Sequence, residues 1–93
     1  MIVGTLRVRL LLREARTLKD KRQVLRSIKD RLRQAFNVSV AEIEDLDNPR
    51  SIVLGIAMVS NETHPLKTGL GEIANALKAH PVTEFVDSEI EIG

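Results

Sequence analysis

Ser51-Ile52-Val53-Leu54-Gly55-Ile56-Ala57-Met58-Val59-Ser60 is an almost unbroken apolar run of strand length, opened by the turn signal Asp47-Asn48-Pro49. Such a run predicts a central strand. Ile52, Leu54, Ile56 and Met58 lie on one parity, Val53, Ala57 and Val59 on the other, and only one of these faces can meet helices in a two-layer domain. With 93 residues, of which 43% are hydrophobic and 29% charged, the chain reads as a single soluble domain spanning 1–93.

Upstream, Ile2 to Leu12 alternates, with Ile2, Leu6, Val8, Leu10 and Leu12 on one side and Val3, Thr5, Arg7, Arg9 and Leu11 on the other, which predicts a strand. Thr17 offers a hydroxyl cap with Asp20 three residues on, and Leu18, Leu25, Ile28, Leu32, Ala35 and Phe36 recur at helical spacing. Asn37 is expected to stop this helix in a left-handed turn. Val38, Val40 and Ile43 predict a second strand whose parity slips near Ala41.

Downstream, Asn61 or Thr63 caps a second helix, with Pro65 in its first turn and Leu66, Leu70, Ile73, Ala74 and Leu77 as its buried stripe. His80 and Pro81 end it. Val82 to Gly93 alternates again, with Asp87, Glu89 and Glu91 on one parity, as a charged edge strand does. The order strand, helix, strand, strand, helix, strand is the ferredoxin-like α+β pattern, a four-stranded antiparallel sheet with two helices on one face. An irregular α+β layer is the alternative arrangement of the same elements.

On that topology Val3, Leu11, Val53, Ala57 and Val59 share the face the helices leave uncovered, so a homodimer is expected to form there. The competing reading is that long polar side chains shield the strand. Arg7 and Arg9 lie on the same face beside the last strand, where Asp87, Glu89 and Glu91 are their expected partners.

The net charge of +1 conceals a split: residues 1–36 carry 11 basic and 3 acidic side chains, residues 37–93 carry 3 and 10. On the first helix Lys19, Arg22, Arg26, Lys29 and Arg33 fall within a band about 80° wide and about 21 Å long, a match for consecutive nucleic-acid phosphates. Lys21 adds a cation at the helix start, although its place on the wheel is toward the apolar face, where the stem packs and the ammonium snorkels. An anion at that helix start would also find free backbone amides. A merely solvated charged face is the plainer reading.

Other chemistries find little support. The chain has no cysteine, so disulfides and thiolate sites are excluded. His64 and His80 stand at opposite ends of one helix, and Glu42, Glu44, Asp45 and Asp47 lack the spacing of a calcium loop. No metal, cofactor or catalytic residue is expected. Gly69 and Gly71 sit within a helix and suit close packing rather than a phosphate loop. No apolar stretch approaches the ~18 residues of a membrane span, and Arg7 and Arg9 interrupt the opening segment, so a cytoplasmic protein is expected. The central strands have no aromatic residue on which bases stack.

Thr17-Leu18-Lys19-Asp20-Lys21-Arg22, then Val24-Leu25, Ser27-Ile28 and Phe36-Asn37-Val38-Ser39-Val40-Ala41-Glu42, resemble the YlxP-like family of short bacterial proteins of unknown function. The likeness spans essentially the whole chain. It implies a ferredoxin-like fold and a role near ribosomal RNA, because genes of that family lie among those for transcription, translation initiation and small-subunit maturation. It carries over no catalytic residue. The functional expectation is a non-enzymatic protein that binds RNA or the small ribosomal subunit through Lys19, Lys21, Arg22, Arg26, Lys29 and Arg33. A protein-interaction module docking an acidic partner is the alternative, and a small-anion regulator or enzyme a third.

Overall fold

The computed structural model describes all residues 1–93. Six elements follow in the expected order: β1 (Ile2–Leu11), α1 (Leu18–Ala35), β2 (Ser39–Glu44), β3 (Ser51–Ser60), α2 (Thr63–Lys78) and β4 (Glu84–Ile92). The sheet runs β2-β3-β1-β4, with every neighbouring pair antiparallel. This is the ferredoxin-like α+β arrangement, with β1 and β3 inside and β2 and β4 at the edges.

Register decides what each face buries. Val8 stands opposite Leu54, Leu6 opposite Ile56 and Leu10 opposite Ile52, and this parity packs with Leu25, Ile28 and Leu32 of α1 and Leu70, Ile73 and Leu77 of α2 into one core. Removing so many aliphatic side chains from water, at about 25 cal/mol per Å², supplies the main driving force. The other face, bearing Val3, Thr5, Arg7, Arg9 and Leu11 with Val53, Gly55, Ala57 and Val59, has no helix over it.

Several ends differ from expectation. Helix α1 begins as a capping box, with the Asp20 amide donating to the Thr17 hydroxyl at 3.2 Å and the Thr17 amide to the Asp20 carboxylate at 3.2 Å. It closes without a left-handed residue. Phe36 turns extended while its amide donates to the Leu32 carbonyl, and its ring packs on the core. Helix α2 is capped by Glu62, not Asn61 or Thr63, with no side-chain hydrogen bond. Pro65, third in the helix, lacks the amide that a capping side chain ordinarily takes. The parity slip in β2 falls between Glu42 and Glu44, so Ile43 is the bulged residue. A second irregularity between Arg9 and Leu10 places Phe85 opposite Leu10 and Asp87 opposite Arg9, leaving Val86 between them.

Two glycines separate packing from conformation. A Cβ on Gly4 would stand 2.9 Å from Leu70 Cδ1 and 3.4 Å from Leu66 Cβ, both side chains fully buried. A Cβ on Gly71 would meet nothing within 4 Å. Gly4→Ala is therefore expected to destabilise the fold by about 1–3 kcal/mol through overpacking. Gly71→Ala, in an open helix interior, is expected to stabilise it by about 0.5–1 kcal/mol. Urea denaturation of the two variants checks both signs.

Candidate nucleic-acid interface

The buried face of α1 is Lys21, Leu25, Ile28 and Leu32, and each of Arg22, Arg26, Lys29 and Arg33 follows one of these residues. A step of 100° from the buried line places the four, with Lys19, along one flank of the helix. Lys19, Arg22, Arg26 and Arg33 are exposed and Lys29 is half-buried. Arg33 shows which flank it is, because its guanidinium donates to the Val40 carbonyl of β2 at 3.1 Å. The stripe thus overhangs the β2 edge of the sheet. Arg22, Arg26, Lys29 and Arg33 border a shallow concavity together with Leu25 and Asp30.

The stripe keeps its charge. Ion pairs in the chain involve Arg7, Arg9, Arg13 and Lys21, and none of the five stripe residues has a carboxylate oxygen within 4.0 Å. The Arg33 bond to a carbonyl takes up one donor without neutralising the guanidinium.

Lys21 does not belong with these five. Its side chain is 1% exposed, and its ammonium lies 2.8 Å from Glu42 Oε2. It donates to the carbonyl oxygens of Asp45 at 2.9 Å, Leu46 at 3.2 Å and Ser51 at 3.3 Å. The ammonium neither snorkels to water nor reaches a phosphate. Asp45, the only residue with positive φ, at 56°, turns the chain so that two successive carbonyls meet this one cation. The Glu42 contact is one of charge more than of an aligned hydrogen bond.

The helix start is partly taken up by the chain itself. Asp20 accepts from the amides of Arg16, at 2.9 Å, and Thr17, just ahead of the helix, and its own amide is held by the Thr17 hydroxyl. These backbone hydrogen bonds hold the Asp20 carboxyl below the ordinary aspartate range.

On the uncovered face the arginines pair away from β4. Arg7 binds Glu44, and Arg9 binds Asp45 at 2.8 Å with Glu44 at 3.8 Å. The bulge at Ile43 and the turn after β2 bring these carboxylates within reach across β3, where Gly55 raises no side chain. Ser51 donates to Asp45 at 2.7 Å, and this bond, ahead of that from Arg9, lowers the Asp45 carboxyl. Of the sequence cluster, Glu42, Glu44 and Asp45 are therefore divided among three cations, while Asp47 meets none.

The same cover alters the expected dimer surface. Val53 is fully buried within one chain and offers nothing to a second. Val3, Leu11 and Ala57 are half-buried, and Val59 remains 57% exposed. His64 is exposed at the start of α2, while His80, beyond its end, is held below the usual histidine range by burial and then by Arg31. No three His, Asp or Glu residues gather as metal ligands, and no helix is long and apolar enough to cross a membrane.

Compared with known proteins, residues 3–90 match the model of the family described as "Protein of unknown function (DUF503)". No curated protein matches the chain.

Lys21→Met would strand Glu42 and three carbonyls, and is expected to cost about 3–5 kcal/mol; Lys19→Met, at an exposed site, should stay within about 0.5 kcal/mol. Thermal unfolding of the pair measures the contrast. Because the folded Asp20 carboxyl is lowered, its contribution is fully present above the unfolded value of about 4 and disappears as pH falls through the folded one. Asp20→Asn is expected to flatten the acid limb of a stability–pH curve in that window.

Proposed function

The chain belongs to this family of unknown function, and we propose that it is a cytoplasmic, non-enzymatic binding protein that holds structured RNA, as in the small ribosomal subunit, against the basic flank of α1. One observation carries the reading: Arg7, Arg9, Arg13 and Lys21 are engaged by the chain's own carboxylates, whereas Lys19, Arg22, Arg26, Lys29 and Arg33 line one flank of α1 without a carboxylate partner. An unneutralised row of this length favours a polyanion whose charges repeat along a line. The contacts would be to phosphates. Neither phenylalanine stands free to stack a base, since Phe36 and Phe85 are half-buried against the core, so recognition follows backbone shape more than sequence. The YlxP-like resemblance is compatible with the family membership and supports the same class of partner.

Salt dependence tests the reading. Affinity for a structured RNA should fall steeply with salt, and Arg22→Gln and Arg26→Gln should each reduce the slope of log K against log salt by about 0.7–0.9. Arg33→Gln is a less clean probe because it also releases the Val40 carbonyl. If RNA binds no better at physiological salt than a synthetic polyanion of equal charge, an acidic protein becomes the partner of this flank instead.

A further inference from the structure

The open face of the sheet carries an imbalance that the chain does not offset. Arg7 and Arg9 stand there against Glu44, Asp45, Asp87, Glu89 and Glu91, a net of three negative charges. Both arginines are held by Glu44 and Asp45, so Asp87, Glu89 and Glu91 of β4 have no cation within 4.0 Å. They recur at every second residue, about 7 Å apart, on an edge strand with no neighbour on its outer side.

Next to them lies a groove of about 450 Å³, floored by Ala41, Gly55 and Ala57 with Thr5 and Arg7 of β1, and walled by Ile43 on one side and Glu89 and Glu91 on the other. Ile43 is 46% exposed. It leans over Gly55 so closely that a Cβ there would stand 2.9 Å from its Cγ2. The groove therefore has an apolar half beside Ile43 and a charged half, in which Arg7, already bound to Glu44, lies before Glu89 and Glu91.

We propose that this groove docks a short basic segment of another protein, with an apolar side chain settled over Gly55 and Ala57 and flanking Lys or Arg residues meeting Glu89, Glu91 and Asp87. Charge selects the occupant. A second copy docked face to face would bring the same net-negative surface against this one, and RNA phosphates would meet the same repulsion, whereas a cationic segment finds complementary potential. The surface lies on the open face of the sheet, whereas the basic flank belongs to α1 on the other face, so either can fail without the other.

The test titrates the full chain into two labelled peptides followed by fluorescence anisotropy, one alternating arginine with valine and one alternating glutamate with valine. The basic peptide should bind and the acidic one should not. Glu89→Gln combined with Glu91→Gln should weaken binding at least tenfold while circular dichroism stays unchanged. Ala57→Phe, which fills the floor and leaves the charge alone, should weaken it as well, whereas Arg22→Gln with Arg26→Gln should leave it as it was. Failure of the basic peptide to bind, or affinity indifferent to both groove variants, overturns the proposal. So does a concentration-dependent dimer that Val59→Glu disperses, since it assigns the groove a different occupant.

Discussion

The ammonium of Lys21 is the constraint on which the two-layer arrangement depends at its most irregular corner. A cation that is 1% exposed is tolerated only where oxygens replace its hydration, and four do so within 3.3 Å: one carboxylate oxygen of Glu42 and the carbonyls of Asp45, Leu46 and Ser51. These oxygens come from β2, the turn after it and the first residue of β3. One side chain of α1 thus determines where the helix stands over the β2 edge. The turn is tied further by the Arg50 guanidinium, which donates to the Ala15 carbonyl at 3.2 Å, and by the Leu12 amide on the Arg50 carbonyl at 2.8 Å.

Anchoring α1 in this way sorts the basic residues. Those that meet carboxylates of the chain, Arg7, Arg9, Arg13 and Lys21, hold the sheet face, the turns and the helix start together. The stripe on α1 overhangs the β2 edge, where Glu42 and Glu44 are already taken by Lys21, Arg7 and Arg9. At the other edge, Asp87, Glu89 and Glu91 of β4 stand without cations. The two halves of the sequence are opposite in charge, and the fold keeps their unpaired remainders on opposite edges of one sheet instead of letting them cancel. A domain of net charge +1 consequently presents two surfaces of strong and contrary sign.

Much of the architecture was legible because it rests on periodicity. The limits of the apolar run Ser51–Ser60 coincide with β3, and the helical stripe Leu66, Leu70, Ile73, Ala74 and Leu77 is the buried face of α2. The capping box at Thr17 and Asp20 was equally plain, since three residues separate donor and acceptor. Less was legible at the ends. Nothing local indicated that Phe36 would leave the helix extended, because its ring is drawn by a core assembled from distant strands. The identity of the stripe was readable from the wheel, and so was the odd placement of Lys21, but not what its ammonium would find there.

Local pattern therefore determined the elements, their order, the face each would bury and the row of cations on α1, all quantities that depend on neighbours three or four residues away in a helix or two in a strand. Ion pairing was decided only by the tertiary structure. Whether Arg7 turns to Glu89, directly opposite it on β4, or to Glu44, two strands away, depends on a bulge at Ile43, a left-handed residue at Asp45 and the bare backbone of Gly55. Long side chains choose the carboxylate that the assembled surface brings nearest, and that distance exists only once the strands are paired and the helix is seated.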